Sequence, residues 1–254
     1  MRILIDTDLA QVKVEDGGAI RELPLYTPEA FSVLSRQWVR VGWAQRYSYR
    51  FTWLGRPMIQ LPEDVLRIQE VIWRLKPDVI VETGVAHGGS LVYYASLCEL
   101  ANRGRVIGVD IEIRPHNRRA IEAHPLASRI ELIVGSSIDE SIVRQVRTAT
   151  DGASCVLILL DSNHTKAHVR AELEAYAPLV TAGSYIVATD GIMCDLHDVP
   201  GGQRDWSWDH ATAAAREFVE MHPEFVLEPP QPLFDEGGIG EGVTYWPGGW
   251  IRRR

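Results

Sequence analysis

The 254-residue chain has only three cysteines, Cys98, Cys155 and Cys194, and no C-x-x-C pair. That sparse, odd set argues against a disulfide framework and against a zinc knuckle. Cys155 opens an apolar run and reads as a core residue, and a reducing cytoplasm is the expected compartment. No apolar run approaches the roughly 18 residues that a membrane-spanning helix needs. Asp6 and Asp8 fall where a secretory leader would carry its apolar core, so no leader is expected. Excess positive charge is also missing: the formal charge is −8 and the pI about 5.5. Nucleic acid and membrane surfaces are therefore not expected partners, because phosphate binding needs concentrated Lys and Arg. The one basic cluster, Arg252, Arg253 and Arg254, reads as a solvated tail. There is no internal repeat and no low-complexity segment.

What is present is an ordinary globular composition, 46% apolar and 24% charged. The length suits one large domain or one domain with an appendage. Residues 1–61 read as an irregular N-terminal extension in which short apolar runs alternate with Asp, Gly and Pro. Its end is aromatic, with Trp38, Trp43, Tyr47, Tyr49, Phe51 and Trp53. That stretch is either a packing surface, on the main domain or on another copy of the chain, or a wall of a binding cleft. A homo-oligomer is the expected assembly.

From residue 62 the pattern becomes regular. Helical spacing over 63–75, 91–102, 118–123, 139–148, 169–179 and 210–221 alternates with short apolar runs. The runs at 79–81, 106–111, 130–134, 156–160, 185–188, 225–227 and 243–246 read as strands. Strands alternating with helices predict a doubly wound parallel α/β sheet over 62–254. In such a sheet ligands bind beyond the carboxyl ends of the strands.

After the run at 79–81 comes Glu82-Thr83-Gly84-Val85-Ala86-His87-Gly88-Gly89-Ser90. Glycines let backbone approach a ligand closely, and a helix N-terminus beyond them offers free N–H groups. The spacing is G-x-x-x-G-G, whereas a dinucleotide fingerprint reads G-x-G-x-x-G. Glu82 would repel a pyrophosphate but suits a cationic amine. Gly84, Gly88 and Ser90 with Glu82 therefore favour S-adenosylmethionine over NAD. A nicotinamide-dependent oxidoreductase stays open as an alternative.

Asp110, or Glu112 beside it, follows the second strand where an acid can accept from ribose hydroxyls. Ser136 and Ser137 follow the third, where an adenine edge would lie. Asp161 and Asp190 end the next two strands, and a pair of adjacent carboxylates suits Mg²⁺. His164, three residues past Asp161, reads as a general base, a metal ligand or a helix cap. The segment 201–209, with Gly201, Gly202, Trp206 and Trp208, reads as a mobile loop over the site.

Three stretches carry a family resemblance: Phe51-Thr52-Trp53-Leu54-Gly55-Arg56-Pro57, Gln60-Leu61-Pro62-Glu63-Asp64, and Glu82-Thr83-Gly84 with Gly88-Gly89-Ser90. With Asp161-Ser162-Asn163-His164 and the closing Tyr245-Trp246-Pro247-Gly248-Gly249-Trp250, they resemble the rhamnosyl O-methyltransferase and cephalosporin-hydroxylase family over about 45–254. The resemblance implies a class I, Rossmann-like methyltransferase fold, S-adenosylmethionine as donor and a divalent metal, Mg²⁺, at the acceptor site. It implies a sugar acceptor on a nucleotide or a natural product, such as the 3′-hydroxyl of TDP-rhamnose in antibiotic biosynthesis. It places metal ligation at Asp161 and Asp190 and the base at His164. The family often has an acid where this chain has Thr189. A third ligand would then be Asp195 or water, and a donor-binding partner of a hydroxylase stays open as a further alternative.

Overall fold

In a computed structural model, which describes residues 1–240 and 242–254, the N-terminal stretch is ordered, contrary to the irregular reading. Strands β1 (Arg2–Asp6), β2 (Gln11–Asp16) and β3 (Ala19–Pro24) form an antiparallel sheet in that order. Asp16 pairs with Ala19, leaving Gly17 and Gly18 as a two-residue turn, both at positive φ. Such a turn is the one that matches strand twist. Val12 and Val14 alternate inward and pack with Ala30 of helix α1 (Pro28–Ala44). Thr27 caps that helix by accepting from the Ala30 N–H, with Pro28 in its first turn. A small hairpin follows, β4 (Phe51–Trp53) and β5 (Arg56–Met58).

The alternation expected from residue 62 is present. Helix α2 (Pro62–Leu75) leads to β6 (Val79–Thr83), α3 (Gly89–Leu100), β7 (Arg105–Asp110), α4 (Pro115–Glu122), β8 (Ile130–Val134) and α5 (Glu140–Thr150). Then come β9 (Val156–Leu160), α6 (Lys166–Tyr176), β10 (Tyr185–Ala188), α7 (Ala211–Met221), β11 (Phe225–Leu227) and β12 (Trp250–Arg253). The sheet order is β11-β12-β10-β9-β6-β7-β8, with β12 antiparallel to both of its neighbours. Strands β6 and β9 are buried along their whole length, as strands covered on both faces must be. One core face gathers Tyr93, Tyr94 and Ile68 from α3 and α2. The other gathers Val146, Leu173 and Phe218 from α5, α6 and α7.

Three expectations are corrected. Residues 243–246 are not a strand: Tyr245 N–H is taken by the buried Asp64 carboxylate at 2.8 Å. The last strand is β12, and it contains two of the three terminal arginines. Arg252 donates to Glu228 at 3.0 Å and Arg253 to the Val180 carbonyl at 2.5 Å, so this is no free tail. Cys155 is half-buried and lies outside the apolar core clusters.

The topology fixes the site. The chain runs β6-β7-β8 outward, then returns to place β9 on the other side of β6. That reversal opens a crevice between the carboxyl ends of β6 and β9. Thr83 pairs with Leu160, and Leu160 with Ala188. The residues just past those strand ends, Gly84, Asp161 and Thr189, therefore stand side by side.

Candidate active site

Gly84 has φ +92°, and a Cβ there would press into the Asp161 carbonyl. Gly88 has φ +77° against Ile121, and a Cβ on Gly89 would meet the Pro57 carbonyl. These glycines thus let the loop lie against the end of β9, the Ile121 side chain and strand β5. The loop is also held from outside. Arg56 Nε donates to the His87 carbonyl at 3.1 Å and its guanidinium to Asn117 Oδ1 at 3.0 Å. Asn117 Nδ2 in turn donates to the Ala86 carbonyl at 2.9 Å.

The loop borders a cavity whose walls include Gly84, Ser90, Asp110 and Asp161 from the expected set. Asp110 Oδ2 accepts from the Val85 and Ala86 N–H groups at 2.7 and 3.2 Å, so this acid shapes the glycine loop. Glu112 meets it only through its own backbone N–H. Glu82 lies behind the wall, fully buried, with Ser90 Oγ at 2.5 Å and Tyr94 OH at 3.1 Å donating to it. Burial, helped by the Asp110 charge, pushes its carboxyl up to about 8. A bound cation is what would restore it to the ionised form. Ser90 is the residue that connects Glu82 to the cavity.

Gln60 was quoted in the sequence only as part of a motif, yet it also lines the cavity. It is buried, its Nε2 donates to Tyr94 OH at 3.4 Å, and its Oε1 has no partner. An orphan acceptor beside Glu82 is a second oxygen for an ammonium group. Nothing in the sequence pattern marks it. Ser136 and Ser137 do not line this cavity. Ser137 Oγ sits 3.1 Å from His168 Nε2 of α6, and its carbonyl accepts from Tyr176 OH at 2.8 Å.

On the far side of Asp161 lies a second group. One ligand atom each from Asp161, His164 and Asp190 lies within 4.8 Å of the others. Asp190 takes a left-handed φ of +53°, and Gly191 follows where a Cβ would hit Thr212 and the Pro247 carbonyl. That turn aims Asp190 toward His164, whose Nε2 is 3.4 Å from Asp190 Oδ2. Burial, reinforced by the charge of Asp190, holds the Asp161 carboxyl well above its usual range. His164 Nδ1 is buried without a partner. Two hard carboxylates short of positive charge, with an imidazole nitrogen at hand, fit a divalent cation.

Asp195, one of the two candidates for a third ligand beside water, is elsewhere. Its Oδ1 pairs with Arg36 at 2.5 Å on the outside of the fold. Thr189 itself is buried, with Oγ1 2.5 Å from Asp161 Oδ1. The loop read as mobile is pinned, through Trp206 edge-on to Trp43 at 5.5 Å.

A sequence model of the rhamnosyl O-methyltransferase/CmcI family matches residues 45–254. Rhamnosyl O-methyltransferases of Mycobacterium tuberculosis are 30% identical over 155 residues, covering 59% of this chain and 60% of theirs. The Mycobacterium leprae protein of the same name is 28% identical over 141 residues, covering 55% and 59%. The match thus spans about three fifths of the length of these relatives. Among solved structures, CmcI with Mg and SAM aligns at a TM-score of 0.55 with 19% identity, covering 81% of this chain and 77% of that one. Apo CmcI gives 0.53 at 19% identity, covering 81% and 76%. This likeness is one of fold, and it bears out the class I methyltransferase architecture.

Proposed function

The chain belongs to the rhamnosyl O-methyltransferase/CmcI family, and from that premise we propose that it is an S-adenosylmethionine-dependent O-methyltransferase acting on a sugar hydroxyl. The acceptor class is a deoxysugar on a nucleotide or natural product, with the 3′-hydroxyl of TDP-rhamnose as the specific case. The observation that carries this reading is the position of Asp161. It lines the glycine-loop cavity and also belongs to the carboxylate–imidazole group. A donor site and an acceptor site thereby share one wall.

When bound, S-adenosylmethionine supplies a methyl on a cationic sulfur, and Mg²⁺ supplies charge that acidifies a sugar hydroxyl. The chain's own residues do the rest. Glu82, through Ser90, and Gln60 provide acceptors for the donor's ammonium. Asp110 holds the glycine loop in shape at the ribose end. Asp161 and Asp190 are the residues that would hold the cation. His164 takes the hydroxyl proton as the oxygen–methyl bond forms, and Asp190 orients its ring. Positioning contributes much of the rate, because the donor is already activated.

Incubation with S-adenosylmethionine, Mg²⁺ and a panel of nucleotide 6-deoxysugars, read by product mass, tests the proposal. One methylated sugar product is expected. Binding of NADH with no binding of S-adenosylhomocysteine would replace it with the oxidoreductase reading.

A further inference from the structure

The connection from β10 to α7, residues 191–209, forms an arch with both feet at the site. It starts directly after Asp190. At its other end Asp209 Oδ1 accepts from the Lys166 N–H at 2.6 Å, two residues past His164. Its middle is held by helix α1. Arg40 donates to the Asp195 carbonyl and to Asp198 Oδ1, the latter at 2.7 Å. Arg36 pairs with Asp195. Trp43 packs edge-on against Trp206, and Gly201, at φ +88°, lies against the same indole. Within the arch, Val199 N–H bonds the Leu196 carbonyl at 3.2 Å and Gly202 N–H bonds that of Val199 at 2.9 Å. The arch is therefore locally folded between its two feet.

The family match begins at residue 45, immediately after α1 ends at Ala44. The clamp on the arch is thus supplied by a segment outside the family match. We infer that α1 is a positioning element of the acceptor site, and that Arg40 is its principal positioning residue, fixing the arch relative to Asp190 and His164. Arg40 stands out because its side chain is only 20% exposed and it bonds two arch residues. Arg36 is 61% exposed, and such pairs contribute little. Donor binding lies on the other side of Asp161, so the clamp acts on acceptor recognition.

This inference rests on the methyltransferase reading for its kinetic consequence but not for its structural one. Both are measured on the full-length protein with Arg40→Ala, Arg40→Lys and Asp198→Ala. Amide exchange over 191–209 is expected to quicken in Arg40→Ala. Acceptor KM is expected to rise on the order of fivefold, while S-adenosylhomocysteine affinity stays within about twofold. Arg40→Lys, which keeps the charge near Asp198, is expected to fall between Arg40→Ala and the wild type, and Asp198→Ala to repeat part of the loss. Unchanged exchange and unchanged acceptor KM in Arg40→Ala would overturn the inference. So would a loss of donor affinity as large as the loss in acceptor KM, which would mark a general packing defect. If the wild type transfers no methyl, the functional reading falls and exchange alone decides. Faster exchange in the arch then upholds α1 as its clamp, and unchanged exchange rejects it.

Discussion

Thr189 Oγ1 lies 2.5 Å from Asp161 Oδ1 and 2.8 Å from the Leu160 carbonyl, one hydroxyl proton shared between two acceptors across adjacent strand ends. Thr189 thus orients a carboxylate rather than adding one. Thr189→Val keeps the shape and removes the hydroxyl. The expected outcome is Mg²⁺ binding weakened about tenfold, as for other groups that orient metal ligands, with the circular dichroism spectrum unchanged. Calorimetric titration of Mg²⁺ checks it, and equal affinities would show that Thr189 does not orient the ligand.

His164 has one ring nitrogen 3.4 Å from Asp190 and the other buried without a partner. His164→Ala is expected to lose turnover by about a hundredfold or more. S-adenosylhomocysteine binding should persist, since no residue of the glycine loop is altered. Near-normal turnover in this variant removes the base assignment.

Two buried carboxyls give the ligand-free protein a particular pH response. Burial pushes Asp64 up to about 7, with the Asp190 and Glu63 charges adding to the effect, and Glu82 up to about 8. Each folded-state value lies above the unfolded one, so the folded state binds the extra proton. The stability these groups contribute is full below about pH 4 and is lost as pH rises toward 7 or 8. The slope is at most about 1.4 kcal/mol per pH unit for each group. Asp64→Asn can still accept from the Tyr245 N–H and donate to Thr244, so it should fold. Its melting temperature, measured in chelator, is expected to vary less between pH 5 and 7, as order-of-magnitude bounds on this titration. A profile parallel to the wild type would show that Asp64 is not the titrating group.

A cation held by Asp161 and Asp190, beside His164, relieves carboxylate repulsion in the folded state only. Mg²⁺ at about a hundred times its dissociation constant is therefore expected to add about 2.7 kcal/mol. That corresponds to a rise in Tm on the order of 5 °C for a chain of this size, reversed by chelator. No shift with Mg²⁺ or Mn²⁺ would mean that the two aspartates hold no metal.

The legibility of this chain follows its burial. Val79–Thr83 and Val156–Leu160 are covered on both faces, so 79–81 and 156–160 read as unbroken apolar runs, and the acids at the ends of β9 and β10 could be paired from order alone. The N-terminal sheet exposes most of its residues, and Val12 and Val14 are too short an alternation to stand out. Residues 243–246 have strand-forming side chains, but Asp64, 181 positions away, claims the Tyr245 N–H. The same blindness to distance hid the fate of Asp195, whose partner Arg36 lies 159 residues earlier. Gln60 was invisible for another reason: only the folded cavity shows that its Oε1 is left without a donor.

Asp161 both lines the glycine-loop cavity and belongs to the carboxylate–imidazole group, so its neutral isostere is the sharpest probe. The measurement is sugar methylation by wild type and Asp161→Asn, with and without chelator, read by product mass. The account predicts product from wild type in Mg²⁺ and almost none after chelation or in the variant. Turnover that survives both the substitution and the chelator would contradict it.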